Sequence, residues 1–174
     1  MKKLIFIAVL FSSVLFSSCA DDLKKILDVS FNTTITENYA INVPGGTIPL
    51  NQSIPLSIDN ADTSSYLNKL KSVEIKKMTY KIIDFTGDAE GKITLNLMAN
   101  GVLLNTITDI NVKNAADAVT IFEVTDKTAL TNAGNSLLEN KTITLETTGE
   151  SVSTNPMAFK FFITLQLGVV ANPL

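Results

Sequence analysis

Few side chains in this sequence are suited to catalysis or metal binding. The chain of 174 residues contains no His, and Cys19 is its single cysteine. Neither a Ser-His-Asp triad nor a Cys-His pair can therefore form, and His- or Cys-ligated zinc, copper and haem sites are excluded. Glycoside hydrolysis needs two carboxylates about 5–10 Å apart, and nothing selects such a pair among the 17 acidic residues. We expect no enzymatic activity and no cofactor.

The acidic residues form one local constellation, in the segment DFTGDAEG. Asp84, Asp88 and Glu90 supply hard oxygen donors beside the flexible residues Gly87 and Gly91. Calcium prefers oxygen ligands of this kind. The spacing differs from that of an EF-hand, and acidic turns between strands are common. The segment therefore predicts either a calcium site or a plain solvated turn.

Tyrosines are the remaining side chains that could bind a ligand, by stacking on sugars. The chain has three of them, Tyr39, Tyr66 and Tyr80, and no Trp. Tyr39 and Tyr80 stand in phase with the apolar residues of their segments. We expect their rings to be packed with the hydroxyl at the rim of the core, and the ligand-binding residues stay unassigned.

The N-terminal segment has three parts of different chemistry. Lys2 and Lys3 are basic, residues 4–16 are apolar apart from two serines, and two further serines stand directly before Cys19. The apolar run is too short for an ordinary membrane span and has the length of the apolar part of a secretory signal.

This N-terminus resembles a bacterial lipoprotein signal peptide with a lipobox. The resemblance covers residues 1–22 and implies cleavage before Cys19, which then carries a diacylglyceryl thioether and an N-acyl chain. Phe16 departs from the usual Leu three residues before the cysteine, a variation that lipoproteins of the Bacteroidota group tolerate. The implied organisation is a signal peptide at 1–18, a lipidated tether at 19–28 and a single domain at 29–174.

Acidic residues follow the cysteine closely, at Asp21 and Asp22. They resemble the surface-export signal of Bacteroidota lipoproteins, which implies an outer-membrane protein displayed on the cell surface. A lipid anchor that faces the periplasm is the alternative. Each buried CH₂ group adds about 0.8 kcal/mol to membrane binding, so two or three acyl chains on one cysteine would make the attachment nearly permanent.

Period-two alternation of apolar and polar residues dominates the rest of the chain. It predicts one long strand over Val29–Val43, or two strands joined by a kink near Glu37. The final segment AFKFFITLQLGVV places its apolar residues on one face and predicts a central strand. Asn100-Gly101, between two apolar runs, predicts a type I′ hairpin.

Two further patterns concern edges and bulges. The tripeptide Ile-Pro-Leu occurs at 48–50 and at 54–56. Because proline cannot donate to a strand ladder, this segment predicts a bulged edge strand. A change of phase at Lys76-Lys77 predicts a bulge in the next strand.

Helical patterns are few. One follows Asp62 or Thr63, and a second follows Thr125 or Asp126. About eight strands and two short helices predict a mostly β fold, an antiparallel β-sandwich of immunoglobulin-like general form. A small up-and-down β-barrel with a lipid-sized cavity is the alternative.

Charge and fold class limit the functions to consider. The formal charge is −3, and loss of Lys2 and Lys3 with the signal peptide lowers it to −5. An acidic chain without Arg lacks the basic face that nucleic acids require. We expect a surface binding or adhesion module that contacts the membrane through its anchor and an envelope protein or glycan through its domain. The alternatives are a structural accessory subunit of an outer-membrane or periplasmic complex, and a lipid carrier.

Replacement of Cys19 tests the anchor. We expect Cys19→Ala to release the protein from the membrane fraction, because no acyl chain can then be attached. Cell fractionation and immunoblotting measure this. The double variant Asp21→Ala, Asp22→Ala should stay membrane-bound, and a Cys19→Ala protein that stays with the membrane would contradict the lipid anchor.

Overall fold

The structure is a computed structural model in which residues 28–172 are described. Its eight strands are β1 (Val29–Val43), β2 (Gly46–Ser57), β3 (Leu70–Gly87), β4 (Lys92–Ala99), β5 (Val102–Asn111), β6 (Ile121–Glu123), β7 (Thr142–Ser153) and β8 (Met157–Ala171). Its helices are a 3₁₀ turn (Ser64–Lys69), α1 (Val112–Asp117) and α2 (Lys127–Asn140). Within residues 28–172, none of the helices has the length and apolar character that a membrane span needs.

The strands form two antiparallel four-stranded sheets. The first has the order β1-β8-β3-β6 and the second the order β2-β7-β4-β5. Four of the pairs are nested along the chain: β1 with β8, β2 with β7, β3 with β6, and β4 with β5. The predicted antiparallel β-sandwich is confirmed. Over the described strands no pairing joins the two sheets into the closed barrel that was the alternative.

The connectivity is more specific than the sequence indicated. The chain crosses to the other sheet at every connection except the β4–β5 hairpin. This arrangement is a jelly roll, whereas an immunoglobulin domain divides its strands into ABED and CFG sheets. The resemblance to an immunoglobulin domain is thus confined to the general form of two packed antiparallel sheets.

The core lies between the sheets, and β8 contributes more buried residues to it than any other described strand. This strand runs between β1 and β3, so the prediction of a central strand is confirmed. Its alternate residues are buried, from Met157 to Ala171. The ring of Phe161 stacks against Tyr39 and Tyr80 at centroid distances of 5.8 and 5.4 Å. Aromatic contacts therefore link the three strands of the first sheet at its centre.

Two of the tyrosines considered for sugar stacking belong to this core. The Tyr39 hydroxyl donates to Thr147 Oγ1 at 2.9 Å, and Asn105 Nδ2 donates to the Tyr80 hydroxyl oxygen at 2.8 Å. Burial raises the pKa of both phenols to about 12. Both rings are thus packed on Phe161 with a bonded hydroxyl, as expected; Tyr80 is buried and Tyr39 is half-buried.

The structure agrees with the local predictions for the hairpin, for the bulge in β3 and for one long first strand. Asn100 and Gly101 have φ values of 47° and 78°, as the predicted type I′ hairpin requires. The register of β3 against β8 shifts between Ile75 and Lys77, so the predicted bulge is confirmed. β1 is one strand without a register shift.

The prediction for β2 is half right. This strand is an edge strand, but its register against β7 is continuous from Gly46 to Ser57 and contains no bulge. The bulge was predicted from Pro49 and Pro55, but the strand accommodates both prolines without one. On an edge strand a missing N–H donor breaks no ladder when it faces away from the neighbouring strand.

The helices close one side of the sandwich. α2 packs against β3 so closely that a Cβ on Gly134 would lie 2.7 Å from the Val73 carbonyl oxygen. Asp126 caps α2, since its Oδ1 accepts from Thr128 and Ala129 N–H at 2.9 and 3.0 Å. The first predicted helix is only a 3₁₀ turn. α1 was not expected from the sequence, because a helix of six residues shows little periodicity.

Neighbouring phenylalanines on β8 provide a test of the core. Phe161 is 1% exposed, whereas Phe162 lies on the outer face under Lys81 Nζ, 5.0 Å from its centroid. We expect Phe161→Ala to lower the free energy of unfolding by about 3–5 kcal/mol through cavity formation. Phe162→Ala should cost about 1 kcal/mol, the range of a cation–π contact. Urea denaturation followed by circular dichroism measures both, and equal losses would contradict this packing.

Candidate functional site

The two ends of the sandwich differ in what they carry. At one end, which we call the tether end, β1 begins at Val29 and pairs with the last residue of β8, Ala171. At the opposite end, which we call the turn end, lie the β1–β2, β3–β4 and β7–β8 turns. β1 has 15 residues, and its 14 steps from Val29 to Val43, at about 3.3 Å each, separate the two ends by about 46 Å.

Asp88 joins two of the three turns at the turn end. Its Oδ2 accepts from the backbone N–H groups of Thr154 and Asn155 at 2.6 and 2.8 Å, and its Oδ1 accepts from Glu90 N–H at 3.1 Å. The backbone N–H of Asp88 donates to Pro156 O at 3.2 Å. Hydrogen bonds from the N–H groups of Asn155, Glu90 and Thr154 lower the pKa of the Asp88 carboxyl. The carboxylate thus holds the β3–β4 turn against the β7–β8 turn.

The other two residues of the predicted calcium constellation are placed differently. Asp84 lies inside β3 rather than in the turn, at the register shift between Ile83 and Thr86. Its carboxylate is 2.8 Å from Lys160 Nζ. The side chain of Glu90 has no hydrogen-bond or ion-pair partner within residues 28–172. In the same range no group of three or more His, Cys, Asp or Glu side chains could hold a metal ion.

Calcium binding at Asp84, Asp88 and Glu90 stays a prediction for which the geometry supplies no assembled set of ligands. Two of the three carboxylates already have other partners, a lysine and backbone amides. The lipidation site Cys19 and the export residues Asp21 and Asp22 lie outside the described residues.

A shallow groove of about 470 Å³ opens at the turn end, where β1 and β3 end beside the first residues of β8. Its lining is mostly apolar and comprises Asn42, Val43, Pro44, Thr86, Gly87, Pro156, Met157 and Ala158. Gly87 allows the close approach that forms it: its φ is 102°, and a Cβ there would lie 2.2 Å from Pro156 O. Any L side chain at this position would push the β7–β8 turn away.

The lining of the groove combines apolar and neutral polar groups. Its walls offer apolar contact from prolines and Met157, and its polar side chains are the neutral Asn42 and Thr86. No acid–base pair is included in this lining. Contacts of this kind can hold an apolar or amphipathic group of a partner by shape and burial.

Sequence reasoning missed both the groove and the role of Asp88. The letters STNP at 153–156 are typical of a turn. The spacing of Asp88 and Glu90 is also typical of a turn, one in which an Asp carboxylate accepts from the backbone N–H two residues later. The bonds from Asp88 to Thr154 and Asn155, however, join segments 66 and 67 residues apart. A local pattern cannot reveal a partner at that separation.

Comparisons with known proteins give a fold likeness alone. No protein-family model matches this chain, and no curated protein does. Among solved structures, a chain of desmodium yellow mottle tymovirus is 13% identical over 83% of this chain and 81% of that chain, with a TM-score of 0.39. The decameric BFDV capsid protein is 10% identical over 81% of this chain and 99% of that chain, with a TM-score of 0.42. A chain of turnip yellow mosaic virus is 11% identical over 81% of this chain and 82% of that chain, with a TM-score of 0.36. Likenesses at this level carry no inference about function.

The Asp88 clamp predicts a pH-dependent stability. The pKa of Asp88 is lowered from 3.8 in the folded protein, so its contribution is present above that value and is lost as the pH falls through the folded pKa. We expect Asp88→Asn to lower the urea midpoint near neutral pH. The difference from the wild type should shrink when both are measured below pH 3.8.

Glu90→Gln is the matched control for this experiment. It removes a neighbouring carboxylate that accepts no hydrogen bond within the described residues, so its urea midpoint should follow that of the wild type at each pH. The clamp would be disproved if Asp88→Asn and Glu90→Gln behaved alike.

Proposed function

We propose that this chain is a lipid-anchored, non-catalytic binding or adhesion module of the outer membrane, displayed on the cell surface. The observation that carries the proposal is the position of β1. This strand begins ten residues after Cys19 and ends about 46 Å away at the turn end. A lipid on Cys19 would hold the tether end near the membrane and leave the groove at the turn end facing outward.

The length of the tether supports this orientation. Residues 19–28 span at most about 35 Å when fully extended, which is less than the length of the sandwich. The domain would therefore stand close to the membrane rather than on a long stalk. A protein or glycan partner in the surroundings would first meet the turn end, where the apolar groove and the three turns are exposed.

The chemistry of the chain supports binding without catalysis. It lacks His and has a single Cys, and the groove is lined by apolar and neutral polar residues. The acidic charge of the chain favours solubility rather than contact with nucleic acid.

A structural accessory subunit of an outer-membrane or periplasmic complex is the second candidate. The short tether favours it, because a domain held near the membrane is well placed to dock on a membrane protein. The third possibility, a lipid carrier, has less support. It would need an apolar cavity between the sheets, and that space is filled by the side chains of one continuous core.

Protease treatment of intact cells tests surface display. We expect the wild-type protein to be cut on intact cells, and the double variant Asp21→Ala, Asp22→Ala to be protected while still in the membrane fraction. Lysed cells should show cleavage of both, and a known periplasmic protein reports leakage. A wild-type protein that is protected on intact cells but cut after lysis would refute surface display and favour the accessory subunit.

A further inference from the structure

The two sheets end in four edge strands, and three of these are protected against pairing with another strand. β2 carries Pro49 and Pro55, which lack a backbone donor. β6 has three residues. β5 has two register shifts against β4, and Asp109 within it has a φ of 52°. Prolines, short strands and bulges are the usual ways in which proteins prevent pairing between sheet edges.

The fourth edge strand, β1, has none of these protections. Its register against β8 runs without interruption from Val29 opposite Ala171 to Val43 opposite Met157. It contains no proline and no lysine. Across residues 28–172 no loop forms a backbone hydrogen bond with it. One side of a regular strand of 15 residues therefore presents free N–H and C=O groups.

The outer-face side chains of β1 leave this edge accessible and nearly uncharged, while on the inner face Thr33 Oγ1 donates to the Asp62 carboxylate of the β2–β3 connection at 2.8 Å. Those on the outer face are short and neutral: Ser30, Asn32, Thr34, Thr36, Asn38, Ala40 and Asn42. Glu37 is the single charged residue of the strand. In a chain of formal charge −3, such a segment is where two copies can approach with little repulsion.

We propose that β1 pairs antiparallel with β1 of a second copy, so that the two first sheets join into one sheet of eight strands. Such a contact uses the same patch on both copies and closes with two-fold symmetry. The strand is its own complement, because full overlap of its 15 residues places Thr36 opposite Thr36 of the second copy. Thr34 then lies opposite Asn38, and Glu37 lies opposite Ile35.

Alternative registers are less favourable for physical reasons. A shift that brings Glu37 opposite Glu37 places two carboxylates side by side, which is destabilising. A slip by one residue moves the side chains of one strand to the wrong face. The register with Thr36 at the two-fold axis gives the largest overlap and avoids both problems.

Antiparallel pairing also orients the two copies, and this step rests on the proposed function. The two Val29 ends would lie at opposite ends of the joined sheet, about 46 Å apart. Lipid anchors attached through them would point in opposite directions. Two facing membranes satisfy this arrangement when the strands run perpendicular to both membranes. The second copy would then belong to a neighbouring cell, and the contact would be homophilic adhesion.

Cysteine cross-linking tests the pairing. In detergent-solubilised full-length protein, we expect Thr36→Cys to give a covalent dimer with a short bis-maleimide, because the two side chains would be about 5 Å apart. The wild type controls for Cys19. Thr47→Cys, on the exposed proline-containing edge strand β2, is the matched variant and should stay monomeric. No dimer from Thr36→Cys, or equal dimer from Thr47→Cys, would overturn the proposal.

Sedimentation of the same detergent-solubilised protein gives an independent measurement. We expect a dimer for the wild type and for Thr47→Lys, and a monomer for Thr36→Lys, since two lysines would meet at the two-fold axis. Circular dichroism confirms that each variant is folded. A monomeric wild type, or a Thr36→Lys variant that stays dimeric, would refute the pairing.

Mixed cell populations separate the pairing from the adhesion step. Thr36→Cys proteins with two different tags are expressed in two populations, which are mixed before cross-linking. Dimers that carry both tags support facing membranes. Dimers within one population alone would refute homophilic adhesion while the pairing of β1 stands. Failure of surface display itself is detected separately, by protection of the wild type from protease.

Discussion

The structure depends on the pairing of β8 between β1 and β3. This strand has a neighbour on each side over most of its length, and its inner face supplies a continuous row of buried apolar side chains. Phe161 at its centre contacts a tyrosine on each neighbouring strand. Because both hydrogen-bonding sides and one face of β8 are used, the first sheet cannot keep its shape without it. The second sheet then covers the same apolar surface from the opposite side.

Predictions from the sequence succeeded where the information is local. The alternation in β1 and β8, the Asn100-Gly101 hairpin and the Asp126 cap are each encoded within a few residues, and all are present. The order of the strands is not local. β1 pairs with a strand more than 100 residues later, and no period or turn residue specifies that partner. A β-sandwich could thus be predicted, whereas its jelly-roll connectivity could not.

The candidate site shows the same limit. Asp88 was recognised as a residue of interest because of its charge and its glycine neighbours, but its partners are backbone amides of another turn. The same letters are therefore compatible with a metal ligand and with a structural clamp. The groove has a similar origin, since it exists only because β1 and β3 end beside the start of β8 and Gly87 lets two chain segments touch.

The nested pairing of first and last strands has a kinetic consequence. During synthesis, β1 and β3 leave the ribosome well before the strand that lies between them. Until residues 157–171 have emerged, these segments are alternating, half-apolar stretches without a neighbour, which is the condition under which chains aggregate. Folds dominated by such distant contacts also form slowly. The first sheet thus cannot close before its last strand is available.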